Sequence, residues 1–207
     1  MAEALLQHRH KSVPGSSGYQ KASISCMSKK TSLALNNSAL FEQALTNQPQ
    51  YAITDDLMPI TYGNPNAETT ITLVGSPFCE PCGNAHKLIE DWLKTTNGVQ
   101  VKVIFANSNQ DSDLRTKMTR HITALSFLED KLIVERALSD WYKQSMKKYD
   151  SWAEKYPVVF KQDLDDVLER QKEWCEMADI SFTPTIFING YKLLDPYQIE
   201  DLKYLIG

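Results

Sequence analysis

Two stretches rich in β-branched and apolar residues flank an amphipathic segment near the middle of the chain. Residues 69–75 alternate β-branched and apolar side chains, which is the pattern of a buried strand. Between residues 85 and 93, apolar side chains recur every three or four positions, which indicates a helix with one buried face. Asn97-Gly98 ends that helix, and residues 99–105 form a second apolar strand. This order predicts two parallel strands joined by a right-handed crossover.

A long helical region separates this unit from the C-terminal end of the chain. Apolar residues between 106 and 182 keep the helical period in three successive stripes, and Pro157 separates the second stripe from the third. After this insert, residues 184–188 have the composition of a strand. Asn189-Gly190 is a strong hairpin signal, which returns the chain in an antiparallel direction along residues 191–194.

Smaller elements complete the predicted fold. Residues 38–45 predict a short helix that stops before Pro49, and residues 60–62 predict an edge strand. Asp195-Pro196 provides an N-cap and a first-turn proline for a last helix. The order of elements predicts an α/β fold, with a central mixed sheet flanked by helices and a helical insert, in one domain over residues 38–207.

Composition and charge change this picture mainly at the N-terminus. The 207-residue chain is 42% hydrophobic, which is enough for one sizeable core, and it holds no window of about 20 apolar residues, so we expect a soluble domain. Its formal charge is −4, yet residues 1–30 carry five Lys or Arg and one Glu, so the remainder carries −8. An acidic body without a basic face disfavours nucleic-acid binding.

The first 37 residues are polar and lack the continuous apolar segment of a secretory signal. We interpret residues 1–37 as a disordered tether or an artificial leader, and we assign no function to Cys26 within it. If the protein works outside the cytoplasm, an export signal or a membrane anchor is expected to be missing from this sequence.

Two cysteines mark the junction between the first buried strand and its helix. In Cys79-Glu80-Pro81-Cys82, two thiols stand two residues apart at a helix N-terminus, a spacing typical of redox-active disulfides. Unpaired N–H groups and the helix dipole stabilise a thiolate there, so Cys79 is the predicted nucleophile and Cys82 the more buried resolving thiol. The alternative is a zinc site. It normally needs a second Cys or His pair at close spacing, so we predict no metal.

Other ionisable side chains lie between the two cysteines or on the predicted helices. Glu80 places a negative charge beside Cys79 and should oppose its ionisation, which predicts a less oxidising site than one with histidine there. The alternative is an exposed glutamate that is only tolerated in the first turn. Cys175 lies on the apolar stripe of the third insert helix, where a cysteine acts as a small hydrophobe. His86 and His121 are single histidines on helices, which we interpret as surface or packing residues.

Two motifs, one on each side of the insert, resemble those of the thioredoxin superfamily. The first is Phe78-Cys79-Glu80-Pro81-Cys82, which follows a strand, and the second is Phe182-Thr183-Pro184-Thr185, which precedes Phe187-Ile188-Asn189-Gly190. Together with the helical insert they look like the DsbA-type branch, in which a helical domain interrupts the thioredoxin fold. The region from about residue 50 to 207 looks closest to the thioredoxin domain fused to bacterial vitamin K epoxide reductase-like membrane proteins.

This resemblance implies a role for each matching residue. Cys79 matches the exposed nucleophile of the family, and Cys82 matches its buried partner. Pro184 matches a cis-proline that packs against the disulfide and denies the sulfurs a metal ion, and Thr183 would offer its backbone to an extended substrate segment. The residues between the sulfurs, Glu80-Pro81, are tuning positions.

The chain departs from the family pattern at two places. Leu73 stands where many relatives carry a buried carboxylate that relays protons to the resolving thiol, so proton transfer must use water or another group. Phe78 replaces the tryptophan of thioredoxin itself, and Glu80-Pro81 is shared with reductants of cytochrome c maturation. The direction of electron flow therefore stays open, because potentials in the superfamily differ by about 150 mV, or roughly 7 kcal/mol for two electrons.

The activity that the resemblance implies is thiol–disulfide exchange with client proteins, without a cofactor in the domain itself. We favour a periplasmic or otherwise extracytoplasmic oxidase, membrane-tethered in its full-length form, that passes disulfides to reduced clients. A quinone-linked membrane partner of the vitamin K epoxide reductase type would reoxidise it. Within the same chemistry, the alternative is a reductase or isomerase of misoxidised clients. From another class, the alternative is a redox-inert peptide-binding module, against which the intact cysteine pair argues.

Overall fold

A five-stranded sheet lies at the centre of the computed structural model, which describes residues 38–57, 59–107, 109–160 and 163–206. Its strands, in spatial order β1-β3-β2-β4-β5, are β1 (Ile60–Gly63), β2 (Thr69–Gly75), β3 (Val99–Phe105), β4 (Thr185–Ile188) and β5 (Tyr191–Lys192). β2 and β3 pair in parallel, whereas the β1–β3, β2–β4 and β4–β5 pairs are antiparallel. The predicted mixed sheet, parallel unit and edge strand are confirmed.

Helices pack on this sheet and fill the long connection between β3 and β4. They are α1 (38–46), α2 (Glu80–Leu93), α3 (Leu114–Ser126), α4 (Leu132–Lys143), α5 (Tyr149–Lys155), α6 (Leu164–Met177) and α7 (Ile199–Leu205). The four helices α3 to α6 form the predicted insertion between β3 and β4. Among the helices described, none combines the length and hydrophobicity that a bilayer crossing requires. The predicted leader, residues 1–37, lies outside the described residues.

The C-terminal elements differ from the prediction in two details. The Asp195-Pro196 pair is not the start of the last helix, because it forms a turn that the Tyr197 N–H closes by donating to the Leu194 carbonyl at 3.1 Å. The N-cap of α7 is Gln198, whose backbone N–H donates to the Asp201 carboxylate at 2.9 Å in a capping box. The strand after the hairpin also ends at Lys192 rather than at residue 194.

The core lies on both faces of the sheet because successive side chains of β2 point in opposite directions. Ile71 and Leu73 face α2 and α4, in a cluster that includes the fully buried Trp141. Val74 faces α6 on the opposite side, in a second cluster with Cys175. The cysteine-bearing ends of α2 and α6 are thereby placed on opposite faces of one sheet.

Candidate active site

Cys79 caps the N-terminus of α2, directly after the turn that leaves β2. Its N–H donates to the Ser76 carbonyl at 3.1 Å, and its extended backbone, with φ −90° and ψ 112°, is that of an N-cap residue. Pro81 in the first turn fits because no intrahelical bond needs its missing N–H. The Cys82 backbone N–H donates to Cys79 Sγ at 3.2 Å, so one free donor of the helix end faces this sulfur.

The two sulfurs form a disulfide and differ sharply in exposure. Cys79 is partly exposed, whereas Cys82 is 0% exposed. A Cβ placed on Gly75 would lie 3.6 Å from Cys82 Sγ, so the end of β2 passes directly against the buried sulfur. A reagent in solvent can therefore reach the disulfide at Cys79 and not at Cys82.

The Thr183-Pro184 segment lies beside the exposed sulfur. β2 and β4 pair antiparallel with Val74 opposite Thr185, so the end of β2 and the start of β4 share one edge of the sheet. The Thr183-Pro184 peptide bond is cis, in agreement with the resemblance, and the Thr183 carbonyl oxygen lies 3.4 Å from Cys79 Sγ. The fold thus brings together two motifs that stand 104 residues apart.

A groove of about 670 Å³ begins at this junction and runs between α2 and the C-terminal elements. Pro81 and Pro184 line the end nearest the cysteine pair, and Leu88 and Ile199 lie among its apolar lining residues. Phe182, which also lines it, is 64% exposed although it is large and apolar. Glu80, the other predicted tuning residue, lies exposed in the first turn of α2.

Helix α4 of the insert holds the turn that precedes Cys79. Trp141 Nε1 donates to the Pro77 carbonyl at 2.6 Å, and the Tyr142 hydroxyl donates to the Ser76 carbonyl at 3.2 Å. Phe78 packs edge-on against Trp141, with ring centroids 5.3 Å apart. Trp141 and Tyr142 were visible in the sequence as members of an apolar stripe, but nothing in that stripe indicates which turn their polar atoms contact.

A buried polar cluster lies one helical turn beyond Cys82. His86 is 1% exposed, with Nδ1 2.9 Å from the Tyr62 hydroxyl and Nε2 3.1 Å from Glu90 Oε1. Desolvation opposes ionisation of Glu90, but the hydrogen bond and charge of His86, together with a hydrogen bond from Ser139, outweigh it and lower the pKa of this carboxyl. Burial raises the pKa of the Tyr62 phenol well above its ordinary value.

The remaining residues singled out in the sequence lie away from the disulfide. His121 is 4% exposed and contacts the Tyr149 hydroxyl and the Tyr156 carbonyl within the insert, so its interpretation as a packing residue holds. Cys175 is 7% exposed, and burial, followed by the charge of Glu176, raises the pKa of its thiol to about 12. Cys26 lies outside the described residues. Those residues contain no group of three or more His, Cys, Asp or Glu side chains arranged to hold a metal ion.

Comparisons with known proteins agree with this geometry. A family model described as Thioredoxin matches residues 55–207. No curated protein sequence matched the chain.

Several solved structures share the fold at low sequence identity. ScsC of Proteus mirabilis, in a compact conformation, is 13% identical, with a TM-score of 0.64 over 92% of this chain and 89% of that one. A periplasmic thioredoxin-like protein from Salmonella enterica serovar Typhimurium is 11% identical, with a TM-score of 0.62 over 81% and 94%. MdbA of Corynebacterium diphtheriae, described as a thiol-disulfide oxidoreductase, is 14% identical, with a TM-score of 0.55 over 74% and 91%.

These matches and the cysteine geometry support one assignment. The family model covers well over half of the chain, and its residues include both cysteines and the Thr183-Pro184 segment. The disulfide at the N-terminus of α2 supplies the chemistry expected of that family. The chain therefore belongs to the thioredoxin family and is a protein thiol–disulfide oxidoreductase.

Proposed function

We propose that this enzyme passes the Cys79–Cys82 disulfide to reduced client proteins outside the cytoplasm. The observation that carries the proposal is the asymmetry of the pair: Cys79 is partly exposed at a helix N-terminus, and Cys82 is completely buried. An attacking thiolate can reach only the first sulfur, so the second becomes the leaving group.

The exchange has two steps. A client thiolate attacks Cys79 Sγ, the bond between Cys79 and Cys82 breaks, and Cys82 leaves as a thiolate. A second client thiolate then attacks the client sulfur of the mixed disulfide, and Cys79 leaves as a thiolate. The Cys82 N–H, which donates to Cys79 Sγ at 3.2 Å, stabilises that product. The client gains a disulfide, and the enzyme is left with two reduced cysteines.

Thr183 and Pro184 are proposed to position the client. The Thr183 carbonyl oxygen lies 3.4 Å from Cys79 Sγ, so a client cysteine that reaches this sulfur passes beside the Thr183 backbone. An extended client segment could then hydrogen-bond to that backbone as an added strand. Because every peptide has the same backbone groups, this contact suits an enzyme with many clients.

The location and the partner belong to the same proposal. The periplasmic Salmonella protein and the oxidoreductase MdbA are structural neighbours, and the motifs resemble a domain fused to vitamin K epoxide reductase-like membrane proteins. We propose that the domain is periplasmic or otherwise extracytoplasmic and membrane-tethered. A quinone-linked membrane protein of that type would reoxidise the Cys79–Cys82 pair.

The test is oxidation of a reduced two-cysteine peptide by the oxidised protein, together with equilibration of the cysteine pair against glutathione. Stoichiometric peptide oxidation that Cys79→Ser abolishes, with a potential near −120 mV, supports the oxidase. A potential near −270 mV would instead favour the reductase, for which the exposed Glu80 beside Cys79 is the specific argument. Peptide binding without any reaction that depends on Cys79 would instead support the alternative of a redox-inert peptide-binding module.

A further inference from the structure

Helix α2 carries a buried histidine–carboxylate pair directly behind the cysteine pair. His86 lies four residues after Cys82, so both side chains occupy the same buried face of the helix. The Tyr62 hydroxyl lies 2.9 Å from Nδ1 and Glu90 Oε1 lies 3.1 Å from Nε2, so contacts at both ring nitrogens hold the imidazole in one orientation. Ser139 on α4 donates to the other oxygen of Glu90 at 3.2 Å.

The groups around His86 have well-defined charges near neutral pH. Burial raises the pKa of Tyr62 on β1 and of Tyr142 on α4, whose ring centroid is 5.4 Å from that of His86, so both phenols are neutral. The pKa of Glu90 is lowered, chiefly by His86 against desolvation, so this carboxyl is an anion. On α4, the positive charge of Lys143 lowers the pKa of Glu90, whereas the negative charge of Glu135 raises the pKa of Tyr62.

The direction of this pair along the helix determines its effect on Cys82. With a rise of 1.5 Å per residue, His86 is about 6 Å and Glu90 about 12 Å along the axis from Cys82. A protonated imidazole therefore places its positive charge nearer to the buried sulfur than the carboxylate places its negative charge. Since Cys82 is 0% exposed, water cannot provide the same stabilisation.

We propose that His86, oriented by Tyr62 and Glu90, is a positioning residue that stabilises the Cys82 thiolate as it leaves the disulfide. This inference rests on the proposed exchange. In that step the electron pair of the attacking thiolate forms the new bond to Cys79, and the electron pair of the broken bond goes to Cys82 Sγ. The negative charge thus moves from the attacking sulfur to a buried atom one turn from the imidazolium. A stabilised leaving thiolate leaves faster.

The experiment follows reduction of the oxidised full-length chain by 2-mercaptoethanol between pH 5 and 9, with acid quenching and mass spectrometry. Each rate constant is divided by the concentration of deprotonated reagent, which removes the titration of the attacking thiol. In the native protein we expect this corrected rate constant to be about tenfold higher at pH 5 than at pH 9, because an imidazolium one helical turn from Cys82 stabilises the departing thiolate. In His86→Gln we expect a flat profile.

His121→Gln is the matched control, because His121 is an equally buried histidine whose contacts lie in the insert. His121→Gln should show the same rise in the corrected rate constant at low pH as the native protein. Glu90→Gln removes the anion that favours the imidazolium, so the rise should shift to lower pH, and this arm serves if His86→Gln does not fold. A rise that persists in His86→Gln, or that Glu90→Gln does not move, would overturn the inference.

Failure of the inference and failure of the proposed function are distinguishable, because the small thiol reports on the leaving group without any client. If 2-mercaptoethanol reduces the pair with the expected pH profile but reduced peptides are never oxidised, the proposed function fails and the role of His86 stands. If peptides are oxidised and the pH profile is flat, the proposed function stands and the role of His86 fails.

Discussion

Two helices of 14 residues, α2 and α6, place cysteines in opposite surroundings. Cys79 precedes the first turn of α2, partly exposed, where a backbone N–H donates to its sulfur. Cys175 lies in the last turn of α6, 7% exposed in the same apolar cluster as Trp174, where burial raises its thiol pKa to about 12. A helix N-terminus stabilises an anion and a C-terminus does not. Burial and position on the helix, rather than residue type, therefore separate a reactive cysteine from an inert one.

The largest effect expected from this comparison is on activity. Cys79→Ser removes the only sulfur of the pair that solvent reaches, so the rate of peptide oxidation should fall at least about a thousandfold. Cys175→Ala should leave that rate within about twofold, because Cys175 lies on the opposite face of the sheet. Rates with a reduced peptide measure both variants. Comparable losses of oxidation rate in Cys79→Ser and Cys175→Ala would contradict the proposed difference between the two cysteines.

Alkylation of the reduced protein tests the same difference directly. At pH 7, iodoacetamide should modify Cys175 at least about a hundredfold more slowly than Cys79, because Cys175 is buried and few thiolates form there. A raised thiol pKa means that the anion becomes populated only as the pH approaches about 12, so the contrast should persist at pH 9. Peptide mass mapping gives the two rates. Denatured protein is the control, in which both cysteines should react alike.

A smaller effect is expected from the charge between the two sulfurs. Glu80→His removes a negative charge next to Cys79 and should shift the equilibrium with glutathione about tenfold toward the reduced enzyme, a rise of roughly 30 mV in potential. Glu176→His makes the same change beside Cys175 and should leave this equilibrium unmoved. An unchanged or lower potential in Glu80→His rejects the tuning role of Glu80.

The smallest effect concerns the turn that carries Cys79. Tyr142→Phe removes the hydrogen bond to the Ser76 carbonyl and leaves that partly buried carbonyl short of one donor, which should lower the free energy of unfolding by about 1 kcal/mol. Tyr204→Phe is the control, since Tyr204 is 68% exposed, and should change it by less than about 0.5 kcal/mol. Urea denaturation measures both. If Tyr142→Phe and the native protein have equal free energies of unfolding, the Tyr142 hydroxyl does not anchor the turn before Cys79.

Much of the fold could be predicted because its strongest patterns are local. Residues 69–75 and the stripes of α2 and α6 have the periodicity of buried elements, and each became the predicted element. The sequence does not predict the short helix α5, because Trp152 is the buried residue among its seven and a single buried position shows no helical period. The start of α7 was placed too early because Asp195-Pro196 has the composition of a helix start, whereas a capping box at Gln198 determines the actual one.

The candidate site was less accessible to sequence reasoning because its parts meet through tertiary structure. The spacing of Cys79 and Cys82 indicated their chemistry, but the approach of Thr183 depends on the pairing of β2 with β4. Only the family resemblance linked those motifs. The contacts of Trp141 depend on how α4 packs and leave no recognisable motif. His86 and Glu90 stand four residues apart on α2, a spacing that the sequence shows, but their burial and the contact with Tyr62 depend on tertiary structure.

Trapping of a mixed disulfide tests the central claim most directly. A client captured by Cys79 stays bound when neither Cys82 nor a second client thiol can displace it. Cys82→Ala incubated with a one-cysteine peptide, supplied as its mixed disulfide with 5-thio-2-nitrobenzoate as the leaving group, should therefore accumulate a covalent adduct. Mass spectrometry should find that adduct on Cys79 in nearly every molecule, and Cys79→Ala should form none on Cys82 or Cys175. An adduct on Cys175, or equal capture without Cys79, would contradict the account.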